Sequence, residues 1–265
     1  MYYLSIKKSM RKEMKTRQEI KAEVKEAMKA LLDWVYPPVC ISCRTLLPLN
    51  ESRRFICEPC ENLFEPIITP FCEKCGAPTQ VESKHCASCF GKNFIFEQNR
   101  AAFTYDELIR DLLHQMKFHN KKRVAQGLGL FWAMQFSQKD LQEDFTLVPM
   151  PMHQKKQRER GFNQAEILTA ALSKKLGYPM ENILIRTHDT PPQAGLHPSQ
   201  RAENVKDVFA IRKNEIVEGK KIILTDDIFT TGSSLNECAK TLKNAGASKI
   251  LCMTLAIAVK NTNKH

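Results

Sequence analysis

Eight of the ten cysteines fall into four Cys-x-x-Cys pairs within fifty residues: Cys40/Cys43, Cys57/Cys60, Cys72/Cys75 and Cys86/Cys89. No other feature restricts the fold as much. Two thiolates at that spacing ligate one metal ion from a tight knuckle turn. Four pairs make two full sets of four ligands, and soft thiolates in tetrahedral geometry select Zn²⁺. Two zinc ions are therefore expected. Disulfides do not suit a reducing compartment, and a thioredoxin-like redox pair needs one motif near a βαβ unit, not four in a row. Iron–sulfur ligation stays as a minor rival. Sequential pairing would join Cys40, Cys43, Cys57 and Cys60 around one ion and Cys72, Cys75, Cys86 and Cys89 around the other. Loops of 13 and 10 residues inside those sets favour it. Cross-braced pairing, first with third and second with fourth, uses the same ligands. His85 adjoins Cys86 but is surplus to a complete set.

Cys238 and Cys252 lack knuckle spacing. Leu235, Cys238, Ala239 and Leu242 share one helical face, and Cys252 lies in an apolar strand, so both read as buried structural thiols. Hydrophobic residues make up 43% of the chain and charged ones 26%, which is globular composition. The formal net charge of +11 favours anionic partners, unless it is simply a solvated surface. Met1–Arg11 has no apolar core of a secretory signal, and the apolar stretch Ile250–Val259 is too short to span a bilayer. A cytoplasmic protein is expected, able to associate with the inner face of the membrane through partners.

Three segments follow from the pattern: a basic helical extension over 1–34, a double zinc ribbon over 35–91, and an α/β domain over 92–265. Met1–Ala30 holds nine Lys/Arg and four Glu with no Gly or Pro. Ile20, Val24, Ala27 and Leu31 recur at helical spacing, predicting an amphipathic helix from about Ser9 to Trp34. Pro37-Pro38 ends it. Beyond the cysteines, residues 94–103 and 145–149 read as strands, and residues 105–119, 122–136 and 164–176 as helices. Residues 189–198 read as a long Pro- and Gly-rich loop. Residues 221–225 read as a buried strand, 235–244 as a helix and 249–259 as the last strand. Strand and helix alternate from about residue 145, which predicts a parallel sheet with helices on both faces.

The most informative segment of that domain is Ile222-Ile223-Leu224-Thr225-Asp226-Asp227-Ile228-Phe229-Thr230-Thr231-Gly232-Ser233-Ser234. It reads as strand, acidic pair, small-residue loop and helix. Gly232 lets the backbone turn sharply, and loop N–H groups with the helix start then suit a phosphate. Thr230, Thr231, Ser233 and Ser234 add hydroxyl donors. No Gly-Lys-Ser/Thr follows, so this is not a Walker A loop. Asp226 and Asp227, placed past the strand's carboxyl end, suit sugar hydroxyls or a Mg²⁺ shell. Helix-capping acids and an ordinary N-cap would account for only part of the run.

Asp226-Asp227 with Thr230-Thr231-Gly232 resembles the phosphoribosyl diphosphate (PRPP) motif of type I phosphoribosyltransferases, although Thr225 stands where an aliphatic residue is usual. That resemblance implies that the two acids hold the ribose hydroxyls, that Thr230–Ser234 holds the 5′-phosphate, and that Mg²⁺ accompanies PRPP. A narrower resemblance runs from Leu31 onwards. Val148-Pro149-Met150-Pro151-Met152-His153, Arg158, Arg160-Gly161-Phe162-Asn163-Gln164, Thr190-Pro191-Pro192-Gln193-Ala194-Gly195-Leu196, Arg201 and Asn204-Val205 are similar to the ComF family. So is the order of cysteine module and transferase-like domain. The resemblance implies a diphosphate-binding segment over 149–160 carrying Lys155, Lys156, Arg158 and Arg160. It also implies a closing loop over 189–204 with Arg201 at its tip, and catalysis through Asp226, Asp227 and Arg201.

The ComF resemblance further implies a part in handling incoming single-stranded DNA during natural transformation. Single-stranded DNA, the competence helicase and other DNA-uptake proteins are the partners it implies. Three readings stay open at this level: that role, a phosphoribosyltransferase of nucleotide metabolism with an unassigned acceptor, and a non-catalytic nucleic-acid-binding adaptor. Phe55, Phe64, Phe71 and Phe90 are aromatic candidates for base stacking, with core packing as the alternative for most of them.

Overall fold

A computed structural model describes residues 24, 28, 31, 34, 37–48, 55–118, 121–137, 141, 143–190 and 205–259. The expected N-terminal helix lies outside them except at Val24, Met28, Leu31 and Trp34, which are helical and exposed. The chain divides into two compact units, Met1–Cys57 and Glu58–His265.

In the first unit the backbone turns at Cys40–Cys43. Cys40 N–H donates to the Thr45 carbonyl at 2.8 Å, Arg44 N–H to the Cys40 carbonyl at 3.1 Å, and Val39 bridges Leu46. Arg44 takes a φ of 66°, the left-handed conformation that lets so short a turn reverse.

The second unit runs α1 (Glu58–Glu61), β1 (Asn99–Thr104), α2 (Glu107–Phe118), α3 (Lys122–Ala133), β2 (Thr146–Pro149), α4 (Gln154–Arg160), α5 (Gln164–Leu176), β3 (Leu184–Arg186), β4 (Phe209–Ile211), β5 (Lys221–Phe229), α6 (Ser233–Asn244) and β6 (Lys249–Ile257). The main sheet has the order β1-β6-β5-β2 and is parallel throughout. β3 and β4 form a separate antiparallel pair. Helix α5 packs on β2 and β5, and α6 on β5 and β6. Every residue of β6 after Lys249 is buried. Such unbroken burial is what a parallel strand shows when both its faces are covered.

The helices follow from their sequence. Ile109, Leu112, Leu113 and Met116 form the buried stripe of α2. Asn163 caps α5 by accepting from Ala165 N–H at 3.0 Å, and its own amide donates to the Met150 carbonyl at 3.0 Å. Thus the cap of α5 is also tied to the segment leaving β2. Cys238 and Cys252 lie in the same buried cluster as Val148, Leu224, Leu235 and Ile250, as expected of structural thiols. Burial pushes both thiols well above their ordinary range.

Several boundaries differ from the sequence reading. Residues 94–98 are not strand: Lys74 Nζ donates to the carbonyls of Phe94, Phe96 and Glu97, Asn236 accepts from Ile95 N–H, and only Glu97 N–H and the Gln98 carbonyl reach the backbone of β6, at Ile250 and Cys252. The segment expected as a diphosphate loop contains the helix α4. His153 caps it by accepting from Lys155 N–H, and Gly161 closes it at a φ of 78°. β5 runs to Phe229, four residues past the expected end, because β6 is long enough to pair with it as far as Phe229↔Ile257. The short β3–β4 pair was not read from the sequence.

Candidate functional site

The longer β5 changes where the two acids stand. Asp226 and Asp227 lie inside the strand, Asp226 opposite Thr254 of β6, rather than beyond its end. On the other side β2 stops at Pro149↔Thr225. From Asp226 onward β5 therefore has a partner only on one edge, and the crevice past the end of β2 opens there. This is where an open α/β sheet holds ligands.

The acids are not equivalent. Asp227 is buried, only 5% exposed, and its Oδ2 is paired with Lys117 Nζ near the end of α2. Burial opposes its ionisation, but Lys117, the hydrogen bond with Asp226 and the Arg160 charge outweigh burial and hold it below the ordinary carboxylate range. Asp226 is half-buried, and its Oδ1 accepts from Asp227 N–H at 2.8 Å. Burial, then the Asp227 charge, pushes it well above the ordinary range. Asp227 is thus part of the core and committed to Lys117, not open to a sugar hydroxyl or Mg²⁺ as expected: its partner comes from a helix a hundred residues earlier.

Beyond Phe229 the chain forms the small-residue loop. Thr230 is exposed, and Thr231 Oγ1 lies 2.8 Å from Ser233 Oγ and accepts from Ser233 N–H at 3.4 Å. Gly232 is the N-cap of α6 at a φ of 79°. A Cβ there would lie 2.7 Å from both the Phe94 and the Phe229 rings. Glycine is thus required by backbone conformation and by these two rings, not only by closeness to a ligand. Ser233 and Ser234 begin α6, and the start of a helix suits an anion.

Phe94 belongs to a strap over residues 94–97 that joins this loop to the second cysteine set. Lys74, inside the knuckle Cys72-Glu73-Lys74-Cys75, donates to the carbonyls of Phe96 at 2.5 Å, Glu97 at 3.1 Å and Phe94 at 3.4 Å. Phe94 stacks on Phe96 at 4.8 Å and meets Phe229 edge-on at 6.1 Å. Ile95 N–H donates to Asn236 Oδ1 of α6 at 2.6 Å.

The expected diphosphate residues separate into two kinds. Lys155 and Arg158 are exposed on α4, while Lys156 and Arg160 are half-buried. Lys156 Nζ pairs with Asp189 at 3.2 Å and donates to the Thr190 carbonyl at 2.8 Å; Lys155 lies 3.9 Å from the same acid. Lys156 first, then burial working against it, leaves Asp189 below its ordinary range. Arg160 donates to Gln164 Oε1 at 2.6 Å and feels the Asp227 charge. Arg201 lies outside the described residues, as does most of the expected closing loop. Two cations near the acids were not assigned to the site from sequence. One is Lys117, paired with Asp227. Arg186, at the end of β3, is lowered by burial, against the charges of Asp189 and Asp226 among others.

The cysteines assemble as sequential sets, Cys40, Cys43, Cys57, Cys60 and Cys72, Cys75, Cys86, Cys89, with all ligand atoms of a set within 4.8 Å of one another. The Sγ atoms of Cys43 and Cys57 are 3.5 Å apart, and those of Cys75 and Cys86 3.7 Å. Tetrahedral Zn–S bonds of about 2.3 Å put sulfurs about 3.8 Å apart, so both sets fit the ion. Cys72 Sγ also accepts from Cys86 N–H at 3.2 Å, a bond that suits a thiolate. All ten cysteines are free of disulfides. The acid pair fits a protein-held Mg²⁺ poorly, since Asp227 is already committed to Lys117. No helix among the described residues is long and apolar enough to cross a membrane.

Comparison with known proteins agrees with this architecture. Residues 31–90 match the double zinc ribbon domain and residues 163–265 the phosphoribosyl transferase domain. The chain is 31% identical to competence protein F of Haemophilus influenzae, covering 83% of this chain and 96% of that protein. It is 28% identical to competence protein ComFC of Bacillus subtilis, covering 81% of this chain and 89% of that one. It is also 28% identical to the DNA utilization protein YhgH of Escherichia coli, with coverages of 83% and 98%. A double zinc ribbon ahead of a phosphoribosyltransferase-like sheet, matched along nearly the full length of such relatives, places this chain in the ComF family.

Proposed function

We propose that the chain binds PRPP or a related 5′-phosphorylated ribose at Asp226–Ser234 and acts on incoming single-stranded DNA during natural transformation. The observation that carries the first part is the sequence of groups along one crevice. Asp226 stands on the open edge of β5, the hydroxyl-rich turn follows at once, and the N-terminus of α6 comes next. Asp226 suits a ribose hydroxyl, and Thr230–Ser234 with the helix start suits the 5′-phosphate. Arg160 and the α4 lysines suit a diphosphate, which arginine grips in bidentate fashion. Arg201 is the proposed cationic tip of the closing loop. Mg²⁺ would travel with the diphosphate of PRPP and add positive charge at the leaving group.

The second part rests on the names carried by the relatives, two of them competence proteins and one a DNA utilization protein. Of the four aromatic candidates, Phe90 is 83% exposed beside Lys92 on the second ribbon. Phe64 is packed against Phe103 and Phe131, and Phe71 lies under Arg100, so these two are structural. Phe90 is the aromatic that suits stacking on an unpaired base. Residues 1–34, 35–91 and 92–265 serve in this scheme as basic extension, zinc module and sugar-phosphate domain.

Calorimetry with PRPP tests the site. Wild type should bind, and Asp226→Ala should weaken binding by about tenfold, the upper range for the loss of one hydrogen-bond partner. Equal affinity in the two proteins would show that Asp226 does not hold the ribose. Turnover of bound PRPP with a nucleobase or DNA acceptor would favour the transferase reading over the adaptor.

A further inference from the structure

Lys117 reaches the acid pair from outside every segment discussed so far as the ligand cradle. It comes from α2, its side chain is 25% exposed, and its ammonium is paired with Asp227 Oδ2. Arg160 and Arg186 act on the same acids at longer range, the former on Asp227 and the latter on Asp226. Two adjacent carboxylates at the mouth of a phosphate site repel the very ligand they are meant to receive. A divalent cation is the usual remedy, since it is the largest local charge such a site can recruit. Here fixed protein cations already stand in that position.

Resting on the reading of this crevice as a ribose 5-phosphate cradle, we infer that Lys117 takes the place of a divalent cation there. It neutralises Asp227, sets the orientation of the pair and leaves Asp226 as the acid that meets the sugar. Binding of a 5-phosphorylated ribose is then independent of Mg²⁺. Lys117 is a positioning residue: it acts through Asp227 and does not touch the ligand. Asp227 in turn is structural, in contrast to a motif in which both acids meet the ligand.

The test is calorimetry of ribose 5-phosphate, which lacks the diphosphate that would carry its own Mg²⁺. Titrations run with and without millimolar Mg²⁺, in buffer stripped by chelating resin and free of soluble chelator, so that the zinc stays bound. The quantity read is the ratio of the two affinities. Wild type and Lys117→Arg should give a ratio near one. Lys117→Met frees Asp227 and should make binding Mg²⁺-dependent by about tenfold or more, as expected when a buried carboxylate loses its cation. Lys117→Met with Asp227→Asn leaves no unpaired charge, so it should fold even where the single variant does not, and its ratio should return to near one. A wild-type ratio of about ten, equal to a full divalent-ion contribution, overturns the inference. So does a Lys117→Met ratio equal to that of wild type, or a Mg²⁺ dependence in the double variant. Wild type that binds in neither condition removes the ribose site itself, and this inference with it.

Discussion

Thr225 is a polar residue in the middle of a buried strand, and it is tolerated because its hydroxyl is satisfied. Its Oγ1 lies 2.6 Å from Thr169 Oγ1 of α5 and 3.3 Å from the Val148 carbonyl of β2. The departure from the aliphatic residue usual in the motif is thus matched by a second threonine fifty-six positions earlier, which no reading of the motif alone reveals. Asp227 and Lys117 teach the same lesson at longer range. The identities of the acids were legible because they stand in one short run; their protonation was not, because it depends on which helix comes to lie beside them. Asp226 carries a testable cost. An unfolded aspartate titrates at about 3.9, whereas burial raises the folded group well above that. The folded state therefore holds a proton more tightly, and stability declines as pH rises from about 3.9 through the raised folded value. Asp226→Asn removes this slope. At neutral pH its melting temperature should exceed that of wild type by about 2–4 °C per kcal/mol relieved, and the gap should close as pH falls towards 4. A variant that melts lower at neutral pH would show that the ionised carboxylate is a stabilising group.

At the level of elements, the agreement between sequence and structure tracks local signals. Helix α5 spans residues 164–176 as read, because Asn163 and Gly177 mark both ends. Spacing favoured the two sequential cysteine sets but left cross-braced pairing open, and only the folded backbone separates them. Helix α4 was not legible, since its seven residues are all polar and carry no hydrophobic period. β3 and β4 are three residues each, too short for any alternation to register. The strap over 94–97 reads as strand because it is aromatic and apolar; it is the lysine in the preceding knuckle that donates to three of its carbonyls in place of a ladder. That lysine is the point to probe. Burial lowers the Lys74 ammonium, and three carbonyls receive it. Lys74→Met should leave two zinc ions per chain, since every ligand is intact. It should cost about 2 kcal/mol of stability and weaken PRPP binding by loosening Phe94 against Gly232. Metal analysis with chemical denaturation and calorimetry measures all three, and unchanged affinity would mean that the strap does not support the loop.

For the molecule as a whole, the excess of 40 Lys and Arg over 29 Asp and Glu gives the net charge of +11. Two of the cations near the proposed site are already paired, Lys117 with Asp227 and Lys156 with Asp189. The charge left for a polyanion therefore lies mainly elsewhere, including the nine Lys/Arg of residues 1–30. Affinity for single-stranded DNA should fall steeply with salt, with a slope of about 0.7 in logarithmic units for each phosphate contacted. Deleting residues 1–30 should flatten that slope while leaving PRPP affinity unchanged. Fluorescence anisotropy across a salt series reads the slope directly, and a flat series in the intact chain would exclude phosphate contacts as the basis of binding. The strap has one more consequence, which belongs to thermodynamics and not to geometry. Lys74 sits between two cysteines of the second set and Phe94 sits against the Gly232 turn, so on the proposed reading metal and sugar phosphate are expected to act as heterotropic effectors of one another. Linkage makes such an effect reciprocal. Whatever factor the second zinc ion contributes to ligand affinity, a bound ligand returns in the hold of Cys72, Cys75, Cys86 and Cys89 on their ion, so an occupied crevice is expected to guard the ribbon against chelators and oxidants.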